Sequence, residues 1–247
     1  MFGRRRRPAV SPDQCSAIIN TNVALASRLE VDLAPRLQDI TLELIETKRW
    51  EAVGTVDLSP EVLVTVAANA AIPVLALDTW LYRNVGSIIV TSSPTTVTAR
   101  RAGPAGGVFS DSPMRVAGRT GPNSTPVCVA WSEAIVDSRR PDRGRNVVIH
   151  EMTHKIDMAG GFSDGEPPLR GAEASHWKTL LDDQYLGEPL EDEPLRAYAW
   201  SNRSEFFAVA TEVFFCRPAH LAAARPRLYE GLRGIYRQDP RHHDASS

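Results

Sequence analysis

His150-Glu151-Met152-Thr153-His154 places two imidazoles four residues apart, with a carboxylate directly after the first. On an α-helix of about 3.6 residues per turn, positions i and i+4 project from one face, one turn apart, so the two ring nitrogens can meet a single metal ion. This pattern on a helix is the zinc-binding and catalytic core of a metallopeptidase. Glu151 then flanks the metal without binding it. From there it takes a proton from a water whose pKa the metal lowers towards roughly 7, and passes it to a leaving amine.

A pattern this short also arises by composition, so its surroundings have to support it. Val148, Ile149, Met152 and Ile156 fall on one arc of a helical wheel, and His150, His154 and Asp157 on the opposite arc. That periodicity predicts a motif helix packed through its apolar arc, with the histidine face left free. Asp142 is the candidate N-cap, and Ala159-Gly160-Gly161 supplies a helix stop.

A catalytic zinc keeps three protein ligands and one open position. The extended three-histidine pattern needs glycine at 157 and histidine at 160, where this chain has Asp157 and Gly160, so a metzincin is excluded. Asp157, almost one turn past His154, is better placed to hydrogen-bond the back of an imidazole and orient it than to ligate. Among downstream carboxylates, Glu173, Asp182, Asp183, Glu205 and Glu212 all fall on predicted helices, and spacing does not choose between them. Glu205 heads a run through Phe215 so apolar that it must be buried, where a carboxylate is costly unless paired or bound to metal. Asn202-x-x-Glu205 also reads as a variant capping box, and Glu212 shares the face of Glu205 and is the alternative ligand.

The elements that must position these groups are mostly helical. Leu37, Ile40, Leu44 and Ile45 recur at helical spacing over 36–50. Ser59-Pro60-Glu61 is a helix start, followed by an Ala-rich run over 62–77 that Pro73 kinks or ends. Residues 86–92 and 127–131 are short β-branched runs read as strands, with a Gly/Pro/Ser/Thr-dense irregular stretch over 102–126 between them. A polar loop carrying Arg139, Arg140, Asp142 and Arg143 leads into the motif. Helices over 172–183, 203–215 and 219–237 follow, with a polar stretch over 187–194. The fold class is α+β: helix-rich, with a small mixed sheet on which the motif helix packs. The strand over 127–131 is the candidate edge along which an extended peptide lies over the metal.

With 247 residues and 43% hydrophobic content, the chain buries a core without disulfide staples. The expected organisation is a basic, flexible segment over 1–30, a single domain over 31–240 and a flexible tail over 241–247. A formal charge of −2 gives no basic field for direct nucleic-acid binding. Cys15, Cys128 and Cys216 are odd in number and widely spaced, which fits a reducing compartment and no Cys-x-x-Cys metal site. Arg4-Arg5-Arg6-Arg7 is followed by no apolar segment of the kind an export signal needs, and no run of roughly 18 apolar residues forms a membrane span. The expected location is the cytoplasm.

Several ordered motifs agree on a family. Val147-Val148-Ile149 before the motif, Asp164-Gly165-Glu166-Pro167, Glu205-Phe206-Phe207-Ala208-Val209, Glu212-Val213-Phe214-Phe215, Leu228-Tyr229 and Tyr236-Arg237-Gln238-Asp239-Pro240 resemble the Mlc titration factor A family of zinc-dependent peptidases. Upstream, Leu77-Asp78-Thr79-Trp80-Leu81-Tyr82 and Ile88-Ile89-Val90 fit it too, so the resemblance covers about 35–240. It implies a zincin-like fold related to the catalytic domain of anthrax lethal factor. It also implies one Zn²⁺ held by His150, His154 and Glu205 in the gluzincin manner, and Tyr198, seven residues before Glu205, as a donor to the transition state. The counterpart of the family's Trp-containing segment, over 112–126, lacks tryptophan here. The resemblance further implies aminopeptidase activity on a peptide or protein substrate, and association with a glucose-responsive transcriptional repressor. The alternative function is a regulatory protein that sequesters that repressor with little turnover. Glu151 argues against the alternative, because a structural site needs no base.

Overall fold

A computed structural model describes residues 8–97, 101–102, 109–110, 114–116, 118–119 and 126–243, the short segments from 95 to 119 and residues 242–243 by their backbone alone. The chain opens with α1 (Pro12–Asn22), capped by the Ser11 hydroxyl, and α2 (Leu33–Thr47). β1 (Arg49–Val53) follows, then α3 (Pro60–Ala71), capped by Ser59 with Pro60 in its first turn. β2 (Ser87–Thr91) leads to short strands β3 (Thr95–Val97), β4 (Arg101–Ala102), β5 (Phe109–Ser110), β6 (Met114–Val116) and β7 (Gly118–Arg119). After β8 (Val127–Ala130) come α4 (Trp131–Arg139), the motif helix α5 (Val147–Asp157) and α6 (Gly171–Leu186). The last three helices are α7 (Arg203–Cys216), α8 (Pro218–Ala224) and α9 (Pro226–Tyr236).

The main sheet runs β1-β2-β8-β7. Its first three strands are parallel, with Trp50 opposite Ile88 and Val90 opposite Val129, and β7 joins antiparallel through Gly118 and Val129. Parallel neighbours need crossovers, and α3 supplies the first of them. β3 with β6 and β4 with β5 form two separate antiparallel pairs. A helix-rich domain with a small mixed sheet is therefore what the chain builds.

Three helices lack a polar face and sit inside. All residues of α3 from Val62 to Ala71 are buried, and α7 is buried from Phe206 to Cys216. The motif helix is buried along its whole length, packed against α7, α3 and β8. The expectation of a free histidine face is thus corrected: His150 is 7% and His154 8% exposed. The periodicity located the apolar arc correctly, but α7 and the turn Ala197–Ser201 cover the other one.

The cap of α5 also differs from the sequence reading. Asn146, in extended conformation, accepts from Ile149 N–H at 3.1 Å, while Asp142 pairs with Arg140 in a separate turn closed by Gly144 at φ +67°. Asn146 also donates through Nδ2 to Asn69 Oδ1 at 2.7 Å, tying the start of α5 to α3.

Other boundaries move for local reasons. The helix read over 36–50 ends at Thr47, and Trp50 lies in β1, where backbone pairing with β2 outweighs helical periodicity. α3 stops at Ala71 ahead of Pro73, which sits in a 3-10 turn. Trp131 begins α4 rather than ending a strand, and that helix occupies most of the expected polar loop. Pro226 divides the last predicted helix into α8 and α9. The strand over 127–131 was expected at an edge, but β8 lies between β2 and β7. The segment 1–30 is not a flexible arm throughout: Cys15, Ile19, Val23 and Leu25 lie in the core, and Asn22 Nδ2 donates to Thr65 Oγ1 at 3.0 Å. Arg4 to Arg7, the tail over 244–247 and most of 112–126 lie outside the described residues. Among the described residues, no helix is long and apolar enough to cross a membrane.

Gly165, between α5 and α6, has φ +80°, and a Cβ there would stand 2.7 Å from the carbonyl oxygen of Arg203. Gly165→Ala is expected to cost at least about 2 kcal/mol, a fall of about 4–8 °C in Tm by calorimetry. Asn146→Ala removes a cap and leaves Asn69 Oδ1 without its donor; about 1–2 kcal/mol of lost stability is expected, read as a lower denaturation midpoint at unchanged m.

Candidate metal centre

α5 presents His150 and His154 on its inner face, and α7 crosses that face with Glu205 in its first turn. The three side chains converge. His150 Nε2 and His154 Nε2 are 3.2 Å apart, and Glu205 Oε2 stands 3.1 Å from the first and 3.5 Å from the second. Among the described residues this is the group of His, Cys, Asp and Glu side chains with metal-binding spacing.

The donor set fits a metal ion. Ligand atoms arranged tetrahedrally about 2.0–2.1 Å from zinc stand roughly 3.3–3.4 Å from one another, and the observed separations of 3.1, 3.2 and 3.5 Å bracket that value. Glu205 Oε2 is buried without a well-formed hydrogen bond. The tautomers point the same way. His150 Nδ1 lies 2.7 Å from Glu212 Oε1, an ionised carboxylate that can only accept, so Nδ1 carries a proton and Nε2 is the nitrogen turned towards His154 and Glu205. His154 Nδ1 lies 3.0 Å from Ser204 Oγ, leaving its Nε2 turned inward likewise.

Glu212 is itself fixed. Its Oε2 accepts from Asn146 N–H at 2.8 Å, and its Oε1 from Arg196 at 2.6 Å. Burial works against its charge, but His150 and Arg196 outweigh burial and hold its pKa below the usual carboxylate value. Burial equally opposes a charged His150, yet Glu212, Glu205 and Glu151 overcome it and push the imidazole pKa up to about 10. Glu205 is buried enough to resist ionisation, but the two imidazoles bring its pKa well below the ordinary range.

The remaining expected residues take distinct places. Glu151 is buried on α5, near enough for its charge to act on His150. Tyr198 donates to Glu205 Oε1 at 2.9 Å, and its ring centre is 6.2 Å from that of His150. Asp157 is fully buried but does not touch an imidazole directly: its Oδ2 accepts from Ser204 Oγ at 2.8 Å, and Ser204 meets His154. The capping alternative for Glu205 holds only for its backbone, whose N–H is capped by Asn202 at 3.0 Å. Glu212, the alternative ligand, stands behind His150, on the side away from Glu205. Sequence reasoning missed Arg196 and Ser204. No spacing rule marks Ser204, whereas a second acid on the face of Glu205 was a visible signal for Glu212. An open cleft of about 510 Å³ reaches His154 and Glu205, with Met158, Tyr185, Asn202 and Ser163 among its walls.

Comparison with known proteins agrees with this geometry. Residues 3–237 match the model of the family described as glucose-regulated metallo-peptidase M90. Mlc titration factor A of Yersinia pestis (strain Pestoides F) is 30% identical over 227 residues, covering 89% of this chain and 83% of the relative. Mlc titration factor A of Yersinia pseudotuberculosis serotype O:1b (strain IP 31758) is similar to the same extent, 30% over 227 residues. With two imidazoles and a carboxylate set for a metal and a family match across nearly its whole length, the chain belongs to the glucose-regulated metallo-peptidases M90.

Proposed function

We propose that the chain is a zinc-dependent aminopeptidase of the two-histidine, one-glutamate kind, with His150, His154 and Glu205 as ligands. The observation that carries this reading is the convergence of three lone-pair donors at 3.1 to 3.5 Å in a buried site with their back atoms tied elsewhere. Nitrogen and carboxylate donors in a tetrahedral arrangement suit zinc. Bound there, zinc polarises the scissile carbonyl and makes a water nucleophilic near neutral pH.

The chain's own residues do the rest. Glu151, adjacent to a ligand but not one of them, removes a proton from the attacking water and delivers it to the departing nitrogen. The Tyr198 hydroxyl, resting on Glu205, donates to the oxyanion that develops on the carbonyl carbon. Glu212 and Ser204 keep the imidazoles from rotating. The substrate is a peptide or protein, reached through the cleft beside His154 and Glu205. A cytoplasmic location accords with free thiols at Cys15, Cys128 and Cys216.

The name of the relatives, Mlc titration factor A, favours a second reading in which the chain also binds a transcriptional regulator. Glu151→Gln separates catalysis from binding: near-stoichiometric zinc by elemental analysis is expected, with peptide cleavage down at least about 100-fold. Unchanged cleavage would sink the peptidase reading. Faster release from peptides with free than with acetylated N-termini is the expected mark of an aminopeptidase. For the ligands, Glu205→Ala is expected to lose zinc at micromolar supply. Glu212→Gln should keep it with affinity reduced about 10- to 100-fold, as measured by chelator competition.

A further inference from the structure

The two ligand imidazoles are held from behind in chemically different ways. His150 faces the carboxylate of Glu212 directly, whereas His154 faces a neutral hydroxyl, Ser204 Oγ, at 3.0 Å. An isolated serine hydroxyl can donate or accept, so by itself it would fix neither the tautomer nor the tilt of the ring. Its surroundings remove that freedom. Asp157 Oδ2 receives the backbone N–H of Gly165 at 3.0 Å, Ser204 Oγ at 2.8 Å and Ser163 Oγ at 3.2 Å. A carboxylate oxygen surrounded by donors accepts, so the single proton of Ser204 is directed to it. What Ser204 then offers His154 is a lone pair, and Nδ1 must supply the proton.

We propose that Ser204 is the positioning residue of His154: polarised by Asp157, it forces the Nδ1–H tautomer and thereby turns the Nε2 lone pair towards Glu205 and His150. The inference rests on the metal reading above. It assigns Asp157 an indirect role, through Ser204 rather than on the ring. It also ties the ligand to the wall of the cleft. Ser163, whose Oγ is 2.8 Å from Ser204 Oγ, and Gly165 belong to the loop after α5, and both converge on the same carboxylate oxygen. Ser204 directly precedes Glu205, so one backbone step separates a ligand from the group that orients another.

The test measures zinc dissociation constants by competition with a chromophoric chelator, for the unmutated protein and for Ser204→Ala, Ser204→Thr and Ser163→Ala. Ser204→Ala is expected to weaken binding about 10-fold or more, Ser204→Thr to restore it to within about threefold, and Ser163→Ala to leave it within about threefold. A constant for Ser204→Ala equal to that of the unmutated protein would overturn the inference, as would a Ser163→Ala loss equal to that of Ser204→Ala. Long-range ¹H–¹⁵N spectra of the metal-free, unmutated protein need no variant: a proton on His154 Nδ1 is expected, and a ring protonated on Nε2 alone would refute it. Failure of the unmutated protein to take up zinc would instead refute the metal reading on which the inference stands.

Discussion

Everything in this structure turns on forcing three lone pairs to face one another where water is scarce. Two imidazole nitrogens and a carboxylate oxygen at 3.1 to 3.5 Å repel unless a cation stands among them, and side chains free to rotate would turn away. The molecule prevents rotation from behind. Glu212 holds His150, Ser204 holds His154, and Tyr198 holds the second oxygen of Glu205. Glu212 and Ser204 are themselves held by further partners, Asn146 and Arg196 for the first and Asp157 for the second, so the polar cluster is a network.

That network dictates the helices around it. α5 and α7 have to be buried nearly all round because their polar residues point at each other, not at solvent. The aromatic run of α7 then serves as the other half of the device. Phe207 and Phe214 stack on Tyr236 of α9, and the Tyr236 hydroxyl meets Thr211, one residue before Glu212. Packing around the site therefore limits how far α7 can slide along α5, and with it the spacing of His150, His154 and Glu205.

How much of this was legible in the sequence depends on the range of the interactions. The motif, its helix and its apolar arc follow from local periodicity, and so do the Ser59 cap and the break near Pro73. The third ligand did not follow from spacing. Glu205 and Glu212 share a face and an apolar setting, and which of them meets the imidazoles depends on how α7 crosses α5, a tertiary fact. The resemblance of Glu205-Phe206-Phe207 to a known segment singled out Glu205 where periodicity was silent, and it is Glu205 whose Oε2 stands 3.1 and 3.5 Å from the two imidazole nitrogens. β1 and the internal position of β8 were missed because strand pairing is non-local: Trp50 reads as the end of a helix until β2 is beside it. The buried place of α1 was obscured by the arginines just before it, whose composition says nothing about Cys15 and Ile19.

The raised proton affinity of His150 has a consequence for how the centre is filled. Glu212, Glu205 and Glu151 outweigh the burial that opposes a charged ring, so without a metal a proton on His150 offsets part of the negative charge of the carboxylates beside it. Part of the charge balance that a divalent metal ion would supply is thus met by a proton. Unlike small zinc modules that are unfolded until they are loaded, this domain has a large core and an internal placeholder. A metal ion entering the centre would then displace a proton, so its uptake would be favoured as pH rises and opposed as pH falls.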